Sequence, residues 1–180
     1  KNTIEFIKRI FKICSLELSV IDIDHFSAES SIRKNYDDKL TGKNVLLVGL
    51  KQGRVDYGYI ENKKYKLYTH SKYYNNTEFN LSLTRKLNSI INSEPIMKRL
   101  DTIYLYGDDI KEDTMEVIEK QGFANISIIN PFENISASDV FLKNESLRKY
   151  SYRYSASCGI ALRNIAADSI TSGSISANEN

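Results

Sequence analysis

Residues 45–69 read VLLVGLKQGRVDYGYIENKKYKLYT, and three strand signals follow one another within them. Val45 to Leu50 is apolar throughout, the pattern of a central strand covered on both faces. Lys51-Gln52-Gly53 is a tight turn. Val55 to Ile60 then alternates, with Val55, Tyr57 and Tyr59 on one face, and Glu61-Asn62 makes a second turn. Tyr65, Leu67 and Thr69 continue the meander as a third strand.

Outward from this meander the period changes. Upstream, Ile4, Ile7, Phe11 and Cys14 stand at helical spacing, and Phe6, Ile10 and Ile13 widen the apolar face. This predicts a helix over 3–14 buried on one broad side. Leu16 to Ile23 carries a short strand signal, and Asp24 is placed to N-cap a helix from His25 to about Tyr36, closed by Thr41-Gly42. Downstream, Phe79, Leu83, Leu87 and Ile90, joined by Ile91, line a helix that starts at Thr77 and ends near Pro95. Thr102 to Tyr106 is a strand ending at Gly107. Ile110 to Gln121 reads as a helix stopped by Gly122, and Ile126 to Ile129 as a strand terminated by Asn130-Pro131. Residues 133–150 read as mostly irregular, with room for one short turn of helix, and Ser155 to Ala166 as a small-residue helix.

From residue 44 the order is β-β-β-α-β-α-β-α, an antiparallel meander followed by alternating helices and parallel strands. That is the plan of the ribonuclease-H-like and actin-like folds. The expected class is therefore α/β, with a mixed five-stranded sheet and helices on both faces. One lobe is expected over 1–167, with leading helices in 1–43 and the core in 44–166. Residues 168–180 form a polar tail too poor in apolar groups to order itself.

The totals narrow the functions. The chain has 180 residues, 41% hydrophobic and 27% charged, which suits one domain with its own core and no need of a metal or disulfide staple. A net charge of +2 argues against a dedicated nucleic-acid binder. No apolar run approaches the ~20 residues of a membrane span. Cys14 and Cys158 read as two buried thiols of a reducing compartment rather than a disulfide. The Asn-x-Ser/Thr triplets at Asn75, Asn80, Asn125, Asn134 and Asn144 read as accidents of composition. The first residue, Lys1, suggests a piece of a longer protein.

No catalytic or metal-binding set emerges. Asp22 and Asp24 fall on one face of a short strand, where helix capping outweighs metal binding because no Cys or His cluster surrounds them. His25 and His70 lie in different elements. Asp108-Asp109 reads as a turn and helix cap, and the first strand offers no carboxylate with which a nuclease would clamp metal ions. Tyr57 to Tyr74 interleaves six tyrosines with Lys63, Lys64, Lys66 and Lys72. Three readings stand there: a hairpin whose lysines protect its edge, a protein-contact strand, or a single-stranded nucleic acid platform. The contact reading selects Tyr65, Tyr68, Lys64 and Lys66.

Several segments resemble the second lobe of the actin-like type IV pilus assembly family PilM. Val20-Ile21-Asp22-Ile23-Asp24-His25-Phe26-Ser27-Ala28 is similar to its strand-to-helix segment, and Tyr104-Leu105-Tyr106-Gly107-Asp108 to its "Y-L-S-G-G" strand end. Asn130-Pro131-Phe132 matches its N-P-F tripeptide, and Ser157-Cys158-Gly159-Ile160-Ala161-Leu162-Arg163 its closing "G-L-A-L-R" helix. The resemblance implies a bacterial, non-catalytic scaffold of a type IV pilus or type II-like secretion apparatus. Such a scaffold is cytoplasmic, peripheral at the inner membrane through a protein partner, and neither inserted in the membrane nor bound to nucleic acid. It also implies degenerate nucleotide loops at Gly49, Lys51, Gln52, Gly53, Gly107 and Asp108. Val48 or a neighbour stands where active relatives carry an Asp, and Asp108 replaces a glycine. No cofactor is therefore expected, ATP with magnesium entering only if a first lobe supplies the other wall. The alternative is the lobe of an actin-like ATPase or sugar-kinase-type enzyme.

Overall fold

The apolar run at 45–50 takes the position its composition demands, in the middle of a sheet. The computed structural model describes residues 2–92, 100–123, 125–135 and 138–163. Its strands are β1 (Asn44–Lys51), β2 (Arg54–Glu61), β3 (Lys64–Lys72), β4 (Thr102–Tyr106) and β5 (Ile126–Ile128). They lie in the order β3-β2-β1-β4-β5. The β1–β2 and β2–β3 pairs are antiparallel, and the β1–β4 and β4–β5 pairs parallel. The helices are α1 (Asn2–Ile13), α2 (Asp24–Leu40), α3 (Asn76–Asn92), α4 (Thr114–Glu119), α5 (Asp139–Lys143), α6 (Glu145–Lys149) and α7 over residues 155–163. A 3-10 turn, Ser151–Tyr154, leads into α7.

Alternation along the strands divides the core into two layers. Leu46, Val48 and Leu50 of β1, with Val55, Tyr57 and Tyr59 of β2, pack with Phe79, Leu83, Leu87 and Ile90 of α3 and Ile118 of α4. The intervening Val45, Leu47 and Ile60 pack with Tyr104 and Tyr106 of β4 against Ala28, Ile32, Tyr36 and Leu40 of α2. Each fully buried side chain of this size contributes about 2 kcal/mol. The loop at Asn130-Pro131-Phe132 is pinned to α2 and α7. Asn35 Nδ2 donates to the Pro131 carbonyl (2.8 Å), Tyr36 Oη accepts from the Asn130 N–H (2.9 Å), and Cys158 Sγ donates to the Pro131 carbonyl (3.3 Å).

A bulge re-aims β3. Ile60 pairs with Tyr65 and Tyr59 with Leu67, so Lys66 is the extra residue. Tyr65 and Tyr68 consequently share the α2 face although they stand three positions apart, a spacing that regular alternation would put on opposite faces.

Several expectations change. Residues 16–23 form no strand, and Leu16, Val20, Ile21 and Ile23 are exposed. Apolar alternation defines a strand only where a partner edge completes its hydrogen bonds. No residue of α1 is buried, and Ile4, Phe6, Ile10 and Ile13 all face solvent. Cys14 is exposed and only Cys158 half-buried; both are free thiols. The N-cap of α2 is Ile23 rather than Asp24, and the Asp22 carboxylate does the local bonding, accepting from the Ile23 N–H (2.8 Å) and from Ser27 Oγ (2.7 Å). The helix read at 110–121 shrinks to α4, because the Thr114 hydroxyl accepts from the Lys111 N–H (2.9 Å) in a preceding turn. Residues 133–150 hold two short helices, capped by Ser138 and Asn144. The expected helix end near Pro95, the end of α7 beyond 163 and the polar tail lie outside the described residues.

Candidate functional site

Four elements converge at one end of β1. Gln52 and Gly53 turn β1 into β2, with Gly53 at φ 76°. β4 ends at Gly107, whose φ of 115° and whose close approach to β1 both exclude a side chain: a Cβ would stand 2.1 Å from the Leu50 carbonyl oxygen. The first turn of α2 brings Asp24, and the turn into α7 brings Arg153 and Ala156. Together with Lys51, Gln52, Tyr106, Gly107 and Asp108 these enclose a cleft of about 320 Å³.

Of the six residues assigned to degenerate nucleotide loops, Lys51, Gln52, Gly107 and Asp108 line this cleft. Gly49 lies beneath Tyr106, where a Cβ would come within 2.4 Å of the phenol oxygen, and Gly53 serves the turn. Sequence reasoning missed Tyr106, Arg153 and Ala156, and assigned Asp24 to a helix cap.

The charge of Lys51 is internally spent. Lys51 Nζ ion-pairs with Asp24 and with Asp56, the latter at 2.6 Å, and lies 5.7 Å from the centre of the Tyr106 ring. Asp56, on β2, is fully buried. Its carboxylate also accepts from Arg54 Nε (2.8 Å) and Tyr68 Oη (2.8 Å). Burial acts to raise its pKa, but the hydrogen bonds from Lys51 and Tyr68 and the charges of Lys51 and Arg54 outweigh it and hold the group below the usual carboxylate range. Asp22 turns instead to Ser27 and Arg163 (2.8 Å), so the two aspartates do not form a shared site.

Behind this pair lies an aromatic layer. His25 is buried and Nδ1 shares a hydrogen bond of 2.8 Å with Tyr106 Oη. Its ring stands 5.2 Å from that of Tyr68 and 6.2 Å from that of Tyr65. Gly58 makes room, since a Cβ would lie 2.3 Å from His25 Nε2 and 2.4 Å from Tyr65 Oη. Neither of those atoms has a hydrogen-bond partner among the described residues. Burial lowers the His25 pKa to about 4 and raises that of Tyr106, so both are neutral at pH 7.

Lys64 and Lys66 are exposed, whereas Tyr65 and Tyr68 are half-buried against His25 and Phe26. Asp109 accepts from Tyr73 Oη and stands 3.8 Å from Lys111. Among the described residues no helix is long and apolar enough to cross a membrane, and no group of three or more His, Cys, Asp or Glu side chains is disposed to hold a metal ion.

No protein-family model matches the chain, and no curated protein matches it. Solved structures do. A chain of the PilM-PilN type IV pilus biogenesis complex overlays with a TM-score of 0.68 at 14% identity, covering 82% of this chain and 53% of that one. The fold is an actin-like lobe. A Bacteroides thetaiotaomicron protein with an actin-like ATPase fold overlays at a TM-score of 0.44 and 14% identity, covering 61% of this chain and 40% of its own. The Ppx/GppA family member of Aquifex aeolicus overlays at 0.43 and 15%, covering 92% and 62%. The chain spans about half of the PilM-PilN complex chain that it matches.

An actin-like lobe raises the question of nucleotide and magnesium, and the residues here do not fit them. The cation of the hairpin, Lys51, is held by two carboxylates, with which a phosphate would have to compete. Asp108 adds a further negative charge to the lining. β1 itself, Asn44–Lys51, carries no carboxylate, and Val48 is buried in the core.

Proposed function

We propose that this lobe is a non-catalytic, protein-binding scaffold component of a type IV pilus or type II-like secretion assembly. Its partner is the cytoplasmic segment of an inner-membrane protein, which would keep the lobe at the cytoplasmic face of that membrane. The observation that carries the reading is the overlay on a chain of the PilM-PilN complex across 82% of this chain. The ion pairing of Lys51 supports it against the nucleotide-binding alternative, since a phosphate that engaged Lys51 would have to displace two carboxylates. The contact surface we propose is β3, with Lys64 and Lys66 outward and Tyr65 and Tyr68 fixing the strand on α2.

The test has two arms. Cross-linking in the native cell followed by mass spectrometry should recover an inner-membrane assembly protein joined through its cytoplasmic segment. Calorimetric titration of ATP with magnesium should give no saturable heat, and micromolar binding would overturn the scaffold reading in favour of an ATPase or sugar-kinase-type lobe.

A further inference from the structure

β3 is an outer strand of the sheet, and its open edge is flanked by the outer side of α3. Between them runs a groove of about 620 Å³. Glu78, Leu81, Ser82, Arg85, Lys86 and Ser89 form its α3 wall, a stripe at helical spacing, and Ser71, Lys72 and Tyr74 form the other side. The stripe from Glu78 to Ser89 extends about 16 Å at the helical rise, the reach of about five extended residues.

The groove has two properties of a recognition surface. It presents apolar groups to solvent, Tyr74 being 89% and Leu81 47% exposed. It is also cationic. Lys72, Arg85 and Lys86 line it, and none of them belongs to an ion pair among the described residues. Its one carboxylate, Glu78, accepts from the Tyr74 N–H (2.8 Å). The charge is local, because the whole chain carries a net charge of only +2.

We propose that this groove binds an extended acidic peptide segment of a protein partner. Its carboxylates meet Lys72, Arg85 and Lys86, its apolar residues rest on Leu81 and Tyr74, and its backbone runs along the open edge of β3. Strand addition at a free sheet edge supplies main-chain hydrogen bonds, and the flanking side chains select the sequence. Single-stranded nucleic acid is the weaker match, because stacking needs successive aromatic platforms and the groove offers Tyr74 alone. The proposal rests on the protein-binding reading above and assigns that reading a second surface, separate from Lys64 and Lys66.

The experiment is fluorescence anisotropy of the full chain with a labelled peptide of alternating glutamate and leucine. Saturable binding is expected, weakened at least about tenfold by the double variant Arg85→Glu/Lys86→Glu. A Lys12→Glu/Lys34→Glu control of equal net charge, at two exposed lysines away from β3 and α3, should leave it unchanged. Should the groove double variant fail to fold, Lys72→Glu alone carries the same expectation. Absence of saturable binding, or equal weakening by both doubles, overturns the proposal. So does tighter binding of labelled oligothymidylate with the same dependence on Arg85 and Lys86. If the wild type binds no peptide yet still cross-links to an inner-membrane partner, the groove proposal falls while the scaffold reading stands.

Discussion

Buried polar residues at the end of β1 carry the sharpest consequences. His25 is fully buried, and its pKa is lowered from 6.5 to about 4. Between those values the unfolded chain binds a proton that the folded chain refuses, so stability is intact above 6.5 and falls as the pH drops toward 4. The loss over that window is about 3 kcal/mol. Melting temperatures measured across it should decline steeply for the wild type and less for His25→Gln, whose curve should lie lower near neutral pH but flatter. Equal slopes would show that His25 does not titrate as buried. Asp56→Ala removes the acceptor shared by Lys51, Arg54 and Tyr68 and should cost about 3 kcal/mol in urea unfolding. Neither effect was legible in sequence: Asp56 stands in an alternating strand like any exposed acid, and its burial comes from α2 folding over that face.

Among the elements, α7 and α2 show what a small residue is for. A Cβ on Gly159 would lie 1.6 Å from the Ser27 carbonyl oxygen, so the two helices meet backbone to backbone there. Gly159→Ala must push α7 away and disturb the Arg163–Asp22 pair beside it. The expected cost is about 2 kcal/mol or more, read as a lower urea midpoint at unchanged slope. An unchanged midpoint would mean that α7 does not rest on α2. The bulge at Lys66 is the second case. Tyr65→Ala/Tyr68→Ala should lower the melting temperature, since both rings pack on His25 and Phe26. Lys64→Glu/Lys66→Glu should leave it unchanged while weakening partner cross-linking. The reverse pattern would remove β3 as the proposed contact strand.

At the scale of the whole molecule, the lobe places its groove along the open sheet edge at β3 and its cleft apart from it, at the end of β1. Loss of groove binding should therefore leave the thermal unfolding curve of the Arg85→Glu/Lys86→Glu variant within about 0.5 kcal/mol of the wild type, as for surface substitutions generally. A larger loss would make those cations part of the fold. The sequence by itself determined the element order from β1 to β5, the central position of β1 and the two faces of β2, because apolar periodicity depends only on neighbours along the chain. It also placed Lys51, Gln52, Gly107 and Asp108 near one another through the known layout of such lobes. Periodicity records which residues are apolar but not what covers them, so α1 was read as buried although none of its residues is, and 16–23 as a strand although no edge receives it. Only the tertiary structure decided that Lys51 is held by Asp24 and Asp56, and that Lys72 meets Arg85 and Lys86 across a groove. Long-range charge pairing is set by how helices cross the sheet, and no local pattern in the chain encodes that crossing.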